Sequence, residues 1–374
     1  MKLFVGIDWS QDNHEVYVTD TECNAKASFR AEHTSEGLKL LCDKLRELAQ
    51  GDLTKIGIAL ETNRGLLVNT LLSAGFDVYP INPREVDNRR KTSGAKTDRI
   101  DAKILAKILR SDYQDLKKLD PNSEIITELQ QLTRDQNGLI QAHTALIQQL
   151  RDCLREYFPG LLTIFPDLSS ETPLLFLKSF STLQDALQAD LPKLEAFFKE
   201  NHVRKPNEIA SRVYIELHKP QLQAQPAIIR AKSRLAQGLI EQIRVLREQI
   251  LDYDREIDRL FKSHSDSHIF ASLNRAGKRL APRLLAEWGD NRERFSCAKE
   301  VQALAGTSPT PYQSGKLSWP HFRWSCVKDF RYVMHHYAWQ STMSELWALA
   351  YYQHKISEGK KHHEAVRALA NIWV

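Results

Sequence analysis

Five short runs of apolar residues in the first 82 positions restrict the folds open to this chain. In each run, apolar side chains either alternate with polar ones or fill every position, which is the pattern of a β-strand with one or both faces buried. Two amphipathic stretches separate the later runs, so the predicted order is β–β–β–α–β–α–β, followed by a further helical pattern that continues to Arg110. The predicted strands are KLFVGID (2–8), HEVYVTD (14–20), AKASFRAE (25–32), KIGIALE (55–61) and DVYPIN (77–82).

This order of elements predicts that the later strands return beside the first. The result is the strand order of the RNase H-like fold, a mixed sheet covered by helices. The first helix is predicted to begin at Thr34 or Ser35, since hydroxyl side chains accept hydrogen bonds from the free N–H groups of a helix start. The predicted class of the N-terminal part is therefore α/β.

Two long helices with heptad spacing are predicted in the middle of the chain. Apolar residues recur every three or four positions over 124–158 and again over 227–262. They predict either a coiled-coil arm, which can join two copies of the chain, or a helical hairpin packed on itself. Gln136 and His143 interrupt the first apolar stripe and are interpreted as polar core positions. Residues 159–220 are predicted to be a helical insertion.

The C-terminal part is predicted to be mainly α-helical. From residue 268 the pattern indicates a helix, a Gly-containing turn and a second helix, which would direct Lys278 or Arg279 at a phosphate. A loop over 306–320 follows, and helices resume after it. The predicted domains are residues 1–118, a coiled-coil or helical arm over 119–267, and a C-terminal domain over 268–374.

The charge distribution favours a polyanionic partner. The net charge is +5, but residues 83–118 carry 11 basic and 6 acidic side chains, and residues 268–374 carry 15 and 8. Basic islands of this kind suit nucleic acid, although a solvated surface can have the same composition.

Other classes of protein are disfavoured by what the sequence lacks. The five scattered cysteines argue against a disulfide framework and a structural zinc site, and are interpreted as buried reduced thiols. No apolar run reaches about 18 residues, and the apolar run at the N-terminus is too short for a signal peptide. We therefore expect a cytoplasmic protein with no membrane partner.

Four carboxylates follow the predicted elements in a pattern that indicates a metal site. Asp8 ends the first strand and Glu61 ends the fourth, and these strand ends are neighbours in an RNase H-like sheet. Asp98 and Asp101 are spaced i and i+3 on the helix that would pack across this sheet, so both can face the same point. Four converging carboxylates repel one another unless a cation lies between them. Mg²⁺ (or Mn²⁺) is the expected ion, because it prefers oxygen ligands and leaves positions open for phosphate.

Motifs at both ends of the chain resemble one known family. The N-terminal motifs are GIDWSQDNHEVYV, the Glu-containing ALETNRG and NPREVDNRRKTSGAKTDRIDAKILA. The C-terminal motifs are LAGTSPTPYQSGK, FRWSCVKDFRYVMHHYA and HHEAVRALANIW. Together they resemble the DEDD-type insertion-sequence transposases, which include the pilin-gene invertases and the bridge-RNA-guided recombinases.

The resemblance implies a metal-dependent DNA strand exchange. Asp8, Glu61, Asp98 and Asp101 then correspond to the metal-binding tetrad of a RuvC-like domain, and Ser314 corresponds to a nucleophile that forms a covalent phosphoserine link with DNA. No His or Asp adjoins Ser314, so its activation is expected from the tetrad of the same or another subunit, which implies a homodimer or tetramer. Family members select donor and target DNA with a structured guide RNA, and the expected location is the bacterial cytoplasm, at the nucleoid.

Basic and aromatic residues near these motifs are the predicted contacts to DNA and RNA. Trp319 and Trp324 are expected either to stack on unpaired bases or, as is commoner for tryptophan, to pack in a core. The predicted nucleic-acid-binding residues are Arg89, Arg90, Lys91, Lys96, Lys278, Arg279, Lys316, Arg323 and Lys328.

Two alternative functions are compatible with the same residues. A RuvC-like junction nuclease would hydrolyse DNA without a covalent intermediate, and would not need Ser314. A domesticated nucleic-acid-binding protein would have no catalytic activity, but the presence of all four acids and of Ser314 counts against it.

Overall fold

The protein consists of two compact units in a computed structural model that describes residues 1–91, 97–315 and 317–374, without the side chains of Lys91 and Ser318. Each unit is assembled from three segments of the chain. The first unit contains residues 1–123, 291–301 and 321–326, and the second contains residues 124–290, 302–320 and 327–374.

A five-stranded mixed sheet forms the centre of the first unit. Its strand order is β3-β2-β1-β4-β5, with β2 antiparallel to both neighbours and β4 parallel to both neighbours. All five strands predicted from the sequence are confirmed, and the later strands do return beside the first. The strands are β1 (Leu3–Asp8), β2 (Asn13–Asp20), β3 (Ala25–Glu32), β4 (Ile56–Leu60) and β5 (Asp77–Pro80).

Helices cover both faces of this sheet. Thr34 caps the first helix, as one of the two predicted alternatives, by accepting a hydrogen bond from the N–H of Gly37 at 3.0 Å. The helical pattern predicted up to Arg110 is divided between two helices, with residues 92–96 between them outside the described part. The helices are α1 (Ser35–Leu48), α2 (Leu66–Ser73), α3 (Pro83–Lys91) and α4 (Asp98–Asp112).

Alternation along the strands sends side chains into two separate cores. On β1, Val5 and Ile7 pack with residues of α1 and α2, whereas Phe4 packs with Leu105 and Ile108 of α4. These five side chains are buried, and each contributes roughly 1.5–3 kcal/mol to stability. The even-numbered positions of β1, which include Asp8, therefore face α4.

Two long helices dominate the second unit and pack against each other within one chain. They are α5 (Glu124–Tyr157) and α11 (Pro226–Ser263), and both were predicted to within one residue. The intervening segment forms five short helices around one apolar core, as the predicted helical insertion requires. These helices are α6 (Gly160–Ile164), α7 (Glu171–Ser179), α8 (Leu183–Leu187), α9 (Leu191–Glu200) and α10 (Pro206–Leu217).

The C-terminal part is helical except for one β-hairpin. The loop predicted over 306–320 is wrong, because two paired strands form there, β6 (Thr310–Ser314) and β7 (Leu317–His321). Every residue of β6 is exposed, so this strand lacks the buried face whose alternation makes a strand recognisable. The helices are α12 (Ser267–Ala271), α13 (Gly277–Trp288), α14 (Ala298–Leu304), α15 (Lys328–Ser341), α16 (Leu346–Ser357) and α17 (His362–Trp373).

The cysteines agree only in part with their interpretation as buried thiols. All five are free, but Cys23 and Cys297 are exposed, whereas Cys42 and Cys153 are buried. Within the described ranges, no helix combines the length and apolar character that crossing a lipid bilayer requires.

Candidate active site

Asp8 and Glu61 lie at the same edge of the sheet. Asp8 is the last residue of β1, and Glu61 directly follows β4. The two strands are parallel neighbours whose register pairs Ile7 with Leu60, so the next position on each strand carries a carboxylate. This is the carboxyl edge, where open α/β sheets bind their ligands. The predicted adjacency of the two strand ends is confirmed.

Gly6 allows α4 to lie directly on β1. A Cβ atom at this position would lie 1.9 Å from the backbone oxygen of Ala102 and 2.5 Å from the backbone nitrogen of Ala106. Both alanines are fully buried. This contact between small residues positions the first turn of α4 relative to β1. Sequence reasoning missed Gly6, although glycine inside a strand is a signal of close backbone approach.

The first turn of α4 presents the other two carboxylates. Thr97 caps the helix by accepting a hydrogen bond from the N–H of Ile100 at 3.3 Å. Asp98 and Asp101 follow it in the first turn, where the positive end of the helix dipole favours negative charge. Their surroundings differ, since Asp98 is exposed and Asp101 retains only 5% of its accessible surface.

Three of the carboxylates act electrostatically on the fourth, Asp8. Burial, followed by the charges of Asp101, Asp98 and Glu61, raises the pKa of Asp8 to about 7. The charge of Arg90 opposes this rise. The structure thus brings together four acidic residues from three separate stretches of the sequence.

Arg90 is a basic residue in contact with this group. Its Nε donates a hydrogen bond to Oδ1 of Asp101 at 2.8 Å, and its Nη1 lies 3.4 Å from Oδ1 of Asp87. The side chains of Arg90 and Asp101 are 17% and 7% exposed, so their ion pair is largely shielded from water.

The residues at this edge fit a hard divalent cation by their chemistry. All four offer carboxylate oxygens, the ligands that Mg²⁺ and Mn²⁺ prefer. In the described part of the chain, however, no three His, Cys, Asp or Glu side chains are already arranged to hold an ion. Asp101 has one oxygen engaged by Arg90. The carboxylates therefore match the ion in type, and their side chains would have to rearrange to bind it.

Ser314 is exposed at the tip of the β6–β7 hairpin in the second unit. It is the last residue of β6, and Gly315 follows it with a left-handed backbone, φ 58°. Glycine adopts this conformation without strain. Ser314 and Gly315 of the predicted SGK motif thus end the strand in an exposed turn, while Lys316 lies outside the described residues.

Of the basic residues that were predicted to contact nucleic acid in the first unit, some form ion pairs and others lie outside the described part. Arg89 and Arg90 are both engaged in ion pairs, since Nη2 of Arg89 lies 2.7 Å from Oδ2 of Asp112. The side chain of Lys91 and all of Lys96 lie outside the described residues. Arg323 is partly exposed.

The helix, Gly-containing turn and second helix predicted from residue 268 are confirmed as α12 and α13. Its turn uses two left-handed residues, Arg275 at φ 64° and Gly277 at φ 58°. Lys278 is exposed at the start of α13 and lines a groove of about 840 Å³ between α11, α13 and α15. Lys328, at the start of α15, is exposed as well.

Arg279 belongs to a polar network inside the second unit. It forms two hydrogen bonds to Asp254 of α11, at 2.8 and 2.6 Å, so its guanidinium already has a carboxylate partner. Asp254 also accepts a hydrogen bond from Gln136 at 2.7 Å. Gln136 is 1% exposed, which confirms its interpretation as a polar core position.

The tryptophans near the hairpin are exposed. Trp319 and Trp324 keep 39% and 64% of their accessible surface, so packing in a core is wrong for both. On the hairpin, Tyr312 and Trp319 form a tilted ring pair with centroids 4.9 Å apart. Sequence reasoning did not identify Tyr312, whose cross-strand partner depends on a hairpin that the sequence pattern does not reveal.

Both ends of the chain match models of insertion-sequence transposases. Residues 5–159 match the DEDD transposase model of the IS110 type, and residues 267–353 match the model for transposases of the IS116/IS110/IS902 family. Together the two models match more than half of the chain.

Full-length relatives are also similar to this chain. A protein of Streptomyces coelicolor named as a mini-circle transposase for IS117 is 29% identical, covering 100% of this chain and 92% of the relative. An uncharacterized protein of insertion element IS116 from Streptomyces clavuligerus is 26% identical, covering 99% and 92%. A protein of insertion element IS900 from Mycobacterium paratuberculosis is 26% identical, covering 98% and 92%.

Proposed function

Because this chain belongs to the IS110/IS116/IS902 family of DEDD transposases, we propose that it exchanges DNA strands by a metal-dependent reaction through a phosphoserine intermediate. The observation that carries this proposal is the grouping of Asp8, Glu61, Asp98 and Asp101 at the carboxyl edge of the sheet. The strand order β3-β2-β1-β4-β5 supports an RNase H-like, RuvC-like fold for the domain over residues 1–118. The arm over 119–267 and the domain over 268–374 complete the proposed division.

The four carboxylates are proposed to bind Mg²⁺ or Mn²⁺. Bound ions would neutralise the carboxylates and stabilise charge on the oxygens that enter and leave the phosphorus. Asp8 ends β1, Glu61 directly follows the neighbouring strand β4, and Asp98 and Asp101 share one helix turn, so regular elements carry or adjoin all four ligands. Rigid support is what a site needs to hold ligands in a fixed geometry.

Ser314 is proposed to be the nucleophile. Its Oγ bonds to a DNA phosphorus as the bond from that phosphorus to the oxygen of one strand end breaks, and the proton that Oγ loses is balanced by the proton that the released strand end takes up to become a hydroxyl. The released strand end leaves with its oxygen, and the hydroxyl of another strand end then attacks the phosphoserine and restores a phosphodiester. The two steps conserve the number of phosphoester bonds, so no ATP is consumed. The exposed turn at Ser314 supports this role, because a DNA backbone can reach it.

Replacing Ser314 with Ala separates this reaction from simple hydrolysis. We expect Ser314→Ala to lose both strand exchange and a covalent protein–DNA adduct, which denaturing gels detect with end-labelled DNA. Ser308→Ala is a matched control near the hairpin and should keep both. If Ser314→Ala still cuts DNA at the normal rate, the chain is a hydrolytic nuclease and the phosphoserine proposal is wrong.

We propose DNA and a structured guide RNA as partners, in a homodimer or tetramer at the bacterial nucleoid. Lys278 and Lys328 are exposed in the second unit, and the exposed Tyr312–Trp319 pair suits stacking on unpaired bases. Purification from the host followed by sequencing of bound RNA tests the guide. An enriched RNA complementary to the ends of the element is expected, and finding none would remove the guide while leaving the transposase.

A further inference from the structure

Two successive arginines of α3, Arg89 and Arg90, form ion pairs with α4 that differ in their exposure to water. Arg89 pairs with Asp112 near the C-terminal end of α4, where the two side chains are 39% and 34% exposed. Arg90 pairs with Asp101 in the first turn of α4, where the side chains are 17% and 7% exposed. The two ion pairs are similar in length, at 2.7 and 2.8 Å, but only the second involves a residue of the carboxylate group.

Arg90 supplies positive charge where four acidic residues meet. Asp101 is largely removed from water, and a buried carboxylate without a cation or donor is strongly destabilising. The guanidinium satisfies one Asp101 oxygen directly. Its charge also reaches Asp8, where it opposes the effect of the three other carboxylates. Arg90 thus offsets negative charge at Asp101 and at Asp8, as a divalent ion bound there would.

The hydrogen bond to Arg90 conflicts with full metal ligation by Asp101. A carboxylate oxygen that accepts a short bond from a guanidinium is a weaker ligand, and a cation beside it repels an incoming ion. Binding of a divalent ion at this edge is therefore favoured when the Asp101–Arg90 hydrogen bond opens. Nη1 of Arg90 also lies 3.4 Å from Oδ1 of the more exposed Asp87. Arg90 therefore keeps one carboxylate partner when it leaves Asp101.

We propose that Arg90 is an exchangeable counter-ion of the active site, which neutralises Asp101 in the metal-free protein and releases its Oδ1 when a divalent ion binds. The inference rests on the proposed metal site. Released from Asp101, the planar guanidinium would be next to the ions and suited to hold a substrate phosphate by two hydrogen bonds. This gives Arg90 two successive partners, a carboxylate and then a phosphate.

Calorimetric titration with Mn²⁺, without nucleic acid, tests the exchange on the full chain. Arg90→Gln keeps a hydrogen-bond donor but removes the competing charge, so we expect it to bind Mn²⁺ more tightly than the wild type, by on the order of threefold to tenfold, as for the loss of one competing ion pair. Arg89→Gln is the matched control, because it breaks the other α3–α4 ion pair, and its Mn²⁺ affinity should stay within about twofold of wild type.

The direction in which Arg90→Gln changes the Mn²⁺ affinity distinguishes a counter-ion that exchanges from a residue that only positions Asp101. If folded Arg90→Gln binds Mn²⁺ no more tightly than wild type, Arg90 serves to hold Asp101 in place and the exchange is wrong. If the wild type itself binds no Mn²⁺, the metal-dependent function fails as well, which is a separate result.

A measurement on the unmutated protein covers the case in which Arg90→Gln does not fold. Addition of the diamagnetic ion Mg²⁺ should shift the ¹⁵N–¹H resonance of Arg90 Nε and speed its exchange with water, while the Arg89 resonance stays unchanged. An unmoved Arg90 signal at saturating Mg²⁺ would overturn the proposal.

Discussion

Asp98 and Asp101 are one helical turn apart, but only Asp101 is buried and paired with Arg90. Because removing one of several crowded carboxylates relieves repulsion when metal is absent, replacing either with Asn is expected from the sequence to abolish cleavage with little loss of stability. The structure changes this expectation for one of them. Asp101→Asn removes the charge that pairs with the largely buried Arg90 guanidinium, which is costly even though Asp87 remains beside it, whereas an exposed acid at a helix start contributes little.

We therefore expect two variants with the same activity but different stabilities. In metal-free urea unfolding, Asp101→Asn should lose about 1–3 kcal/mol, and Asp98→Asn should stay within about 0.5 kcal/mol of wild type. Both should lose DNA cleavage, since each removes a proposed metal ligand. Equal stabilities would mean that the ion pair between Arg90 and Asp101 does not contribute to the free energy of unfolding. Cleavage by either variant would contradict the proposal that all four acids bind the metal.

His14 provides a pH-dependent contribution away from the active site. Its side chain is fully buried on β2, and its Nε2 lies 2.8 Å from Nδ1 of His33. Burial, and then the neighbouring His33, lowers the pKa of His14 to about 4. Between pH 6.5 and about 4 the unfolded chain binds a proton that the folded chain excludes, so this residue lowers stability as the pH falls through that window.

Comparison of His14→Gln with wild type isolates this effect. The difference between the urea midpoints of variant and wild type is measured at pH 7 and at pH 5. Lowering the pH should shift this difference in favour of the variant, because only the wild type has the His14 penalty. In the metal-free protein Asp8 acts in the opposite direction, because its raised pKa makes stability fall as the pH rises from about 4 to about 7. That contribution is common to both proteins and cancels. An unchanged difference between pH 7 and pH 5 would show that His14 is not buried in the neutral form.

At the scale of elements, the contact between β1 and α4 decides whether the carboxylates meet. Gly6→Ala would place a methyl group 1.9 Å from the Ala102 oxygen, so the helix must move away from the strand. We expect a loss of about 1–3 kcal/mol, typical of overpacking, and weaker Mn²⁺ binding in the protein that folds. Gly138→Ala is the control, because a Cβ there meets nothing within 4 Å and the helix should gain about 1 kcal/mol. A Gly6→Ala protein with normal stability and metal affinity would show that the contact is not required.

Elements with a buried face could be predicted from the sequence, and those without one could not. The five strands of the sheet alternate or are wholly apolar, because one or both faces of each strand pack in a core. The β6–β7 hairpin offers no such pattern, since β6 is exposed throughout. The sequence could identify Asp8, Glu61, Asp98 and Asp101 as candidate metal ligands, because the ends of strands and the starts of helices can be predicted from its pattern. Arg90 could not be assigned to Asp101, because that pairing depends on how α3 lies along α4.

At the scale of the whole molecule, two units with separate cores are expected to unfold in more than one step. The tryptophans report mainly on the second unit, which contains five of the seven, with Trp9 and Trp324 in the first. A ligand that binds one unit stabilises that unit. Mn²⁺ should therefore slow hydrogen exchange in β1 and β4 at intermediate urea concentrations, while the fluorescence transition stays in place. A common shift of both signals would mean that the units unfold as one.

The chain returns to its first unit twice after leaving it at residue 123. Lys117 pairs with Glu300 at 2.6 Å, and Asn82 donates a hydrogen bond to Ser325 at 3.1 Å. On the ribosome, these partners appear long after the sheet has emerged. At roughly 5–20 residues per second, the stretch from residue 123 to residue 326 takes about 10–40 seconds to synthesise. During that interval the nascent sheet carries its acids but lacks its last segments, so a truncated translation product would contain the four carboxylates in an unfinished unit.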